Sequence, residues 1–234
     1  MKKNIELDKR IIFALDVNNI SQVEKWLTIL KGHVKFYKIG LELFVSQGMG
    51  VVERVLEAGC EVMLDLKLYD IPQTVYRTVK QICKKEITFL TVHGNLDILK
   101  AAVEGASGSK VNILGVTVLT SLDEKDLREM GYPSPPDDLV LKRAELAKNA
   151  GCAGVVASGL EAKIIRQRLG EDLIIVSPGI RPAFSAKGDQ KRVLTPKHAI
   201  LNGSDYLVIG RPIRDSEDPI ATVSKIKEEI KGII

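Results

Sequence analysis

Eight short apolar runs alternate with helical patterns along this chain, and that alternation restricts the fold more than any other feature. The runs are Ile11–Asp16, Val34–Ile39, Glu61–Lys67, Thr88–His93, Val111–Val118, Ala153–Ser158, Leu173–Ser177 and Asp205–Ile209. Most are rich in Val, Ile and Leu, as strands buried on both faces should be. Between them, Val23, Trp26, Leu27 and Leu30 keep the i, i+3, i+4, i+7 stripe of an amphipathic helix. Ile220, Val223, Ile226 and Ile230 do nearly the same near the C-terminus. Gly59, Gly151 and Gly203 sit where a helix gives way to a strand, the place of a C′ residue. Eight βα units in 234 residues predict an α/β fold, a TIM (β/α)8 barrel forming a single domain over residues 1–234; about 250 residues is typical of that barrel. An open doubly wound sheet is the structural competitor. Two intervals run long, Thr120–Asp138 after strand 5 and Gly179–Thr195 after strand 7. Both lie at carboxyl ends of strands, where a barrel keeps its active site, so both are expected to be lid-like loops.

Composition narrows the function classes. Apolar residues are 45% and charged residues 27%, too apolar and too balanced for a disordered chain. No segment has the roughly 18 apolar residues of a membrane span, and the start, Met1 to Glu6, lacks a secretory apolar stretch. Three cysteines, Cys60, Cys83 and Cys152, form no close pair, and an odd count argues against a disulfide framework. The cytoplasm is the expected location, with no membrane partner. The net charge of +4 suits an anionic small molecule. Lys and Glu are interspersed and aromatics are only 5%, so the stacking basic stripe of a nucleic-acid binder is missing.

Charge stands where a barrel core should be. Side chains alternate across a strand, so Asp65 and Lys67 share a face with Met63 while Val62, Leu64 and Leu66 face the helices. Asp16 falls on the face of Ile12 and Ala14, and Lys38 on that of Val34 and Phe36. Asp70 follows within three residues of Lys67. Three neighbouring strands thus deliver charge to one rim. A buried structural ion-pair network is the alternative. Desolvating such ions costs several kcal/mol each unless they are well paired, and active sites are where that cost is usually tolerated. A charged lysine held in a fixed direction can donate a proton.

A second constellation lies on the opposite half. Strand 7 runs into Ser177-Pro178-Gly179-Ile180-Arg181-Pro182, and strand 8 into Ile209-Gly210-Arg211-Pro212. Loops after strands 7 and 8 form the usual phosphate site of this fold. Gly210 permits close backbone approach, and Arg211 can grip two phosphate oxygens. An ordinary Gly-Pro turn with a surface arginine is the alternative to each motif alone. Thr120 and Ser121 end strand 5, where they can bond a heterocycle or simply cap a turn. His93 ends strand 4 and suits either the site or a satisfied core position, while His33 and His198 read as surface residues. No zinc-spaced cluster, P-loop or dinucleotide fingerprint is present.

The segment Asp65-Leu66-Lys67-Leu68-Tyr69-Asp70-Ile71-Pro72-Gln73-Thr74 resembles the DxKxxDIPxT signature of the orotidine 5′-monophosphate decarboxylase family, closest to its short bacterial form. Phe13-Ala14-Leu15-Asp16, Tyr37-Lys38-Ile39-Gly40, Val116-Thr117-Val118-Leu119-Thr120-Ser121, Pro178-Gly179-Ile180-Arg181-Pro182, Gly188-Asp189-Gln190-Lys191-Arg192 and Val208-Ile209-Gly210-Arg211-Pro212 resemble that family's other blocks, in its order. The resemblance covers nearly the whole chain. It implies decarboxylation of orotidine 5′-monophosphate to uridine 5′-monophosphate (UMP), the last step of de novo pyrimidine biosynthesis, with no metal and no organic cofactor. Asp16 would bind the ribose, with Lys38 beside it. Asp65 would lie next to the substrate carboxylate, and Lys67 would protonate C6. Asp70, Ile71 and Thr74 would reach into the partner's site of a homodimer with shared active sites. Thr120 would lie at the ribose or base, with Ser121 toward the base edge. Gln190, Arg211 and the Gly210 backbone would hold the 5′-phosphate, with Arg181 at the same end and Arg181–Arg192 closing as a lid.

Two rivals share many of these features. A magnesium-dependent sugar-phosphate enzyme such as hexulose-6-phosphate synthase shares a D-x-K-x-x-D strand, but Ile71-Pro72-x-Thr74 and Gln190 favour the nucleotide enzyme. A catalytically dead barrel would bind a nucleotide without turnover, and intact Asp65, Lys67 and Asp70 argue against it.

Overall fold

In a computed structural model of the chain, which describes residues 5–183 and 194–233, eight parallel strands close into a barrel in sequence order. β1 pairs with both β2 and β8, which closes the ring and excludes the open sheet. The strands are β1 (Ile11–Ala14), β2 (Phe36–Gly40), β3 (Glu61–Leu68), β4 (Phe89–Val92), β5 (Asn112–Val116), β6 (Gly154–Val156), β7 (Ile174–Ser177) and β8 (Tyr206–Ile209). Each falls on one of the eight predicted runs.

Helices surround the barrel. α1 (Leu7–Arg10) precedes β1, and α2 (Ile20–Ile29), α3 (Leu41–Gln47) and α4 (Gly50–Glu57) follow β1 and β2. Next come α5 (Pro72–Ile82), α6 (Leu96–Ala106), α7 (Glu124–Glu129) and α8 (Pro136–Asn149). The last four are α9 (Ala162–Leu169), α10 (Pro196–Leu201), α11 (Arg211–Arg214) and α12 (Pro219–Lys231). Their starts follow from local chemistry. Asn19, Asn95 and Asp218 each accept a backbone N–H of the first turn through the side chain, which satisfies a donor the helix cannot. Proline opens α5, α8, α10 and α12, where its missing N–H costs nothing.

Strand alternation sorts the core into two layers. Ile12, Ala14, Phe36, Met63, Phe89, Leu114, Val176 and Val208 fill the barrel interior. Phe36 stacks on Phe89 at 5.3 Å, and the Tyr206 ring meets both edge-on. Burying each such side chain contributes about 1.5–3 kcal/mol, so the lower barrel is a plug rather than a pore. Phe13, Tyr37, Ile39, Val62 and Leu64 point outward to the helices.

Three expectations need correction. Val34 lies before β2 and packs in the outer layer rather than on the face of Phe36, because strand alternation does not extend beyond the strand. Ile220 is 38% exposed while Val223, Ile226 and Ile230 are fully buried, so the stripe on α12 starts one turn later. The interval after β5 is not a long loop. Asp123 and Asp126 bond each other's backbone N–H in a capping box, Leu127 is buried, and the segment folds as α7. After β7, Ile180 bridges Leu194 in parallel, and the Arg181 N–H donates to the Leu194 carbonyl at 2.9 Å. Residues 184–193, with Gln190 and most of the expected lid, lie outside the described residues.

Candidate active site

The carboxyl ends of β1, β2 and β3 place four charges in one continuous chain. Lys38 Nζ donates to Asp16 Oδ1 at 3.0 Å and stands 3.9 Å from Asp65 Oδ2. Lys67 Nζ donates to Asp65 Oδ1 at 2.9 Å. Lys38 and Asp65 are nearly covered, at 12% and 13% side-chain exposure, whereas Lys67 keeps 33% and Asp16 47%. The inner pair is therefore shielded from solvent, and the outer two charges open toward the mouth.

Simple alternation accounts for Asp65 but not for Lys67. Lys67 has φ of 48°, the only positive value at a non-glycine among the described residues, a backbone state that bulky residues rarely adopt. The register shifts there: Leu64 pairs with Leu90 but Leu68 pairs with Val92. Three residues of β3 thus stand against the single residue Thr91 on β4. The Thr91 hydroxyl takes up the freed groups, accepting from the Lys67 N–H at 2.9 Å and donating to Asp65 Oδ1 at 2.9 Å. Sequence reasoning missed Thr91. It sits mid-strand in an apolar run, and only its parity with Phe89 hinted that it faces inward.

Lys38, Asp65 and Lys67 line a cavity of about 350 Å³ together with Thr120 and Ser121. Met63, Val116, Val118, Val156, Pro178 and Val208 supply its apolar wall. Size and lining suit a small planar molecule with a few polar groups, with ions confined to one side.

The ends of β1 and β8 meet beside this cavity. A Cβ built on Gly210 would stand 3.1 Å from Ala14 Cβ and 3.5 Å from Asp16 Oδ2, so the position has little room for a side chain. Arg211 begins α11 directly afterwards. Arg181 is buried, at 7% exposure. A hydrogen bond from Arg214 lowers the Asp215 carboxyl below the usual range, and the charges of Arg211 and Arg181 add to that effect. Arg181 follows β7 and Arg211 follows β8, and these two strands are neighbours in the barrel.

Asp70, Ile71 and Thr74 are exposed at the entry to α5 and do not line their own barrel's cavity. Asp70 Oδ1 accepts the Ile71 N–H at 2.6 Å. Tyr69 and Ile71 next to it are 71% and 66% exposed. His93 matches neither alternative: it is half-buried, does not line the cavity, and sits 3.3 Å from Arg143 with its ring edge-on to Tyr69. Burial, then the Arg143 charge, holds its pKa below the ordinary 6.5. His198 is exposed and His33 half-buried. Among the described residues, no group of three His, Cys, Asp or Glu is placed to hold a metal, the cysteines are free, and no helix is long and apolar enough to cross a membrane.

Fold and rim together define a (β/α)8 barrel with a charged, apolar-walled cavity at the carboxyl ends of its strands. The chain belongs to the Orotidine 5′-phosphate decarboxylase / HUMPS family, whose model matches residues 9–226. It is 46% identical to the orotidine 5′-phosphate decarboxylase of Desulfosudis oleivorans, covering 94% of this chain and 92% of that one. Identity to the enzyme of that name from Afipia carboxidovorans is 48%, covering 95% and 94%. The crystal structure of orotidine 5′-phosphate decarboxylase from Lactobacillus acidophilus superposes with a TM-score of 0.83 at 39% identity, covering 94% and 98%.

Proposed function

We propose that this chain converts orotidine 5′-monophosphate to UMP and carbon dioxide, the closing step of de novo UMP synthesis, in the cytoplasm and without metal or organic cofactor. The observation that carries this reading is the chain of contacts Asp16–Lys38–Asp65–Lys67 at the mouth of an apolar-walled cavity. The family model spans more than one chemistry, and the names of the curated relatives favour the decarboxylase over the sugar-phosphate rival.

The chemistry demands such an array. When the bond from C6 to the carboxylate breaks, carbon dioxide leaves and the electron pair remains on C6 in the ring plane. The ring π-system cannot delocalise it. A preorganised ammonium stabilises that charge without solvent reorganisation. Lys67 then transfers a proton from Nζ to C6, completing UMP, and the neutral amine regains a proton from solvent. Asp65 holds the ammonium in direction and borders the substrate carboxylate, Lys38 and Asp16 bind the ribose, and Thr120 and Ser121 meet the ribose and base. Arg211, Arg181, Gln190 and the Gly210 backbone hold the 5′-phosphate, whose binding energy lowers the chemical barrier at a distance. Asp70, Ile71 and Thr74 complete the partner's site in a homodimer. Their exposure away from their own cavity supports this sharing, as does the apolar surface of Tyr69 and Ile71 beside them.

The test is loss of orotidine 5′-monophosphate absorbance with purified protein, with and without EDTA. Equal, rapid loss in both is expected. No loss with folded protein, or loss that EDTA abolishes, overturns the reading.

A further inference from the structure

We infer that Thr91 is a positioning residue for the proton donor, an assignment that rests on the decarboxylase reading of Lys67. Thr91 is fully buried and does not line the cavity, so it acts only through its neighbours. Its hydroxyl has one proton, and that proton is committed to Asp65 Oδ1 at 2.9 Å. Its oxygen accepts the Lys67 N–H, also at 2.9 Å. One side chain therefore ties down both members of the Asp65–Lys67 pair, the carboxylate at its oxygen and the lysine at its backbone.

The irregular register of β3 creates the need for this tie. Between the pairs Leu64–Leu90 and Leu68–Val92, β3 carries more residues than β4 can match, and Lys67 adopts its left-handed backbone within that excess. An unpaired, partly buried N–H there would favour a return to ordinary strand geometry, in which Lys67 would run beside Asp65 without being forced into contact with it. The Thr91 hydroxyl substitutes for the missing ladder partner. Asp65 Oδ1 then receives two donors, Thr91 and Lys67, while Oδ2 faces Lys38. With both oxygens engaged, the carboxylate has no free rotation through which the ammonium could drift.

Thr91→Val removes the hydroxyl at nearly constant volume. The expected result is a fall in kcat of about ten- to a hundredfold with KM for orotidine 5′-monophosphate within about threefold, since a misplacement near 1 Å is enough for such a loss. Thr91→Ser keeps the hydroxyl and is expected within about fivefold of the wild-type kcat. A purely structural role would lower the melting temperature without this split between Val and Ser in kcat per folded molecule. A Val variant with the wild-type kcat, or a Ser variant as slow as Val, overturns the assignment. Should Val not fold, Thr91→Ala supports the same comparison. Wild-type protein without turnover would instead overturn the decarboxylase reading. A crystal structure of the Val or Ala variant then decides Thr91 separately: Lys67 Nζ out of reach of Asp65 supports the positioning role, and an unmoved pair overturns it.

Discussion

Lys67 and Asp65 lie two residues apart on one strand, yet their side chains meet at 2.9 Å because the backbone turns left-handed at Lys67. In a regular strand, side chains two apart on one face run side by side without being forced together. The kink converts that neighbourhood into a direct ion pair aimed at the cavity, and the chemistry proposed here depends on it.

Replacing Lys67 removes the proton donor but leaves Asp65 held by Thr91 and near Lys38. Lys67→Ala is expected to lower kcat by at least about a thousandfold, within the range of positioned general acids. The far-UV circular dichroism spectrum should match the wild type. Substantial residual turnover would remove Lys67 from the proton-transfer step.

Arg211 opens α11 directly after β8 and is assigned to the phosphate. A charge-assisted hydrogen bond is worth about 1.5–3 kcal/mol, so Arg211→Ala should lower kcat/KM by about ten- to a hundredfold. The defect should shrink for a substrate lacking the phosphate. Steady-state kinetics on both substrates checks this, and an equal loss on both would exclude a phosphate contact.

Asp70 is exposed and does not line its own cavity, and this invites a complementation experiment. Lys67→Ala and Asp70→Ala are each expected to be nearly inactive alone. Mixed dimers carry one site with both residues intact if Asp70 serves the partner, so mixing should restore up to about a quarter of wild-type activity, the statistical yield of such sites when half the dimers are hybrids. No recovery after demonstrated subunit exchange would confine each site to one chain.

His93 predicts a pH effect on stability. Its pKa in the fold is depressed by burial and by Arg143 relative to the ordinary 6.5. The unfolded chain therefore binds the proton more readily. The contribution is complete above the unfolded value and is lost as pH falls from about 6.5 through the folded value. Thermal melts between pH 7.5 and 5.0 should show a steeper decline for wild type than for His93→Gln, which can still accept from Arg143. Parallel curves would exclude His93 as the source.

Much of this architecture is legible in the order of residues because strand and helix periods are local properties of the backbone. Val, Ile and Leu runs spaced by amphipathic stripes determine eight βα units. Parity along β2 and β3 brings Lys38 and Asp65 to one face before any contact is known, and Asp16 follows two residues after the end of β1. The paired motifs at Arg181 and Gly210–Arg211 are legible for the same reason, since each directly follows a strand. Tertiary structure alone decided the rest. Thr91 meets Lys67 across 24 residues of sequence, at a register shift that no local pattern encodes. The exposure of Asp70 and the clasp of His93 by Arg143, 50 residues apart, likewise depend on which surfaces end up adjacent. Periodicity specifies which way a side chain faces, whereas partners on neighbouring strands are set by how the closed barrel aligns them.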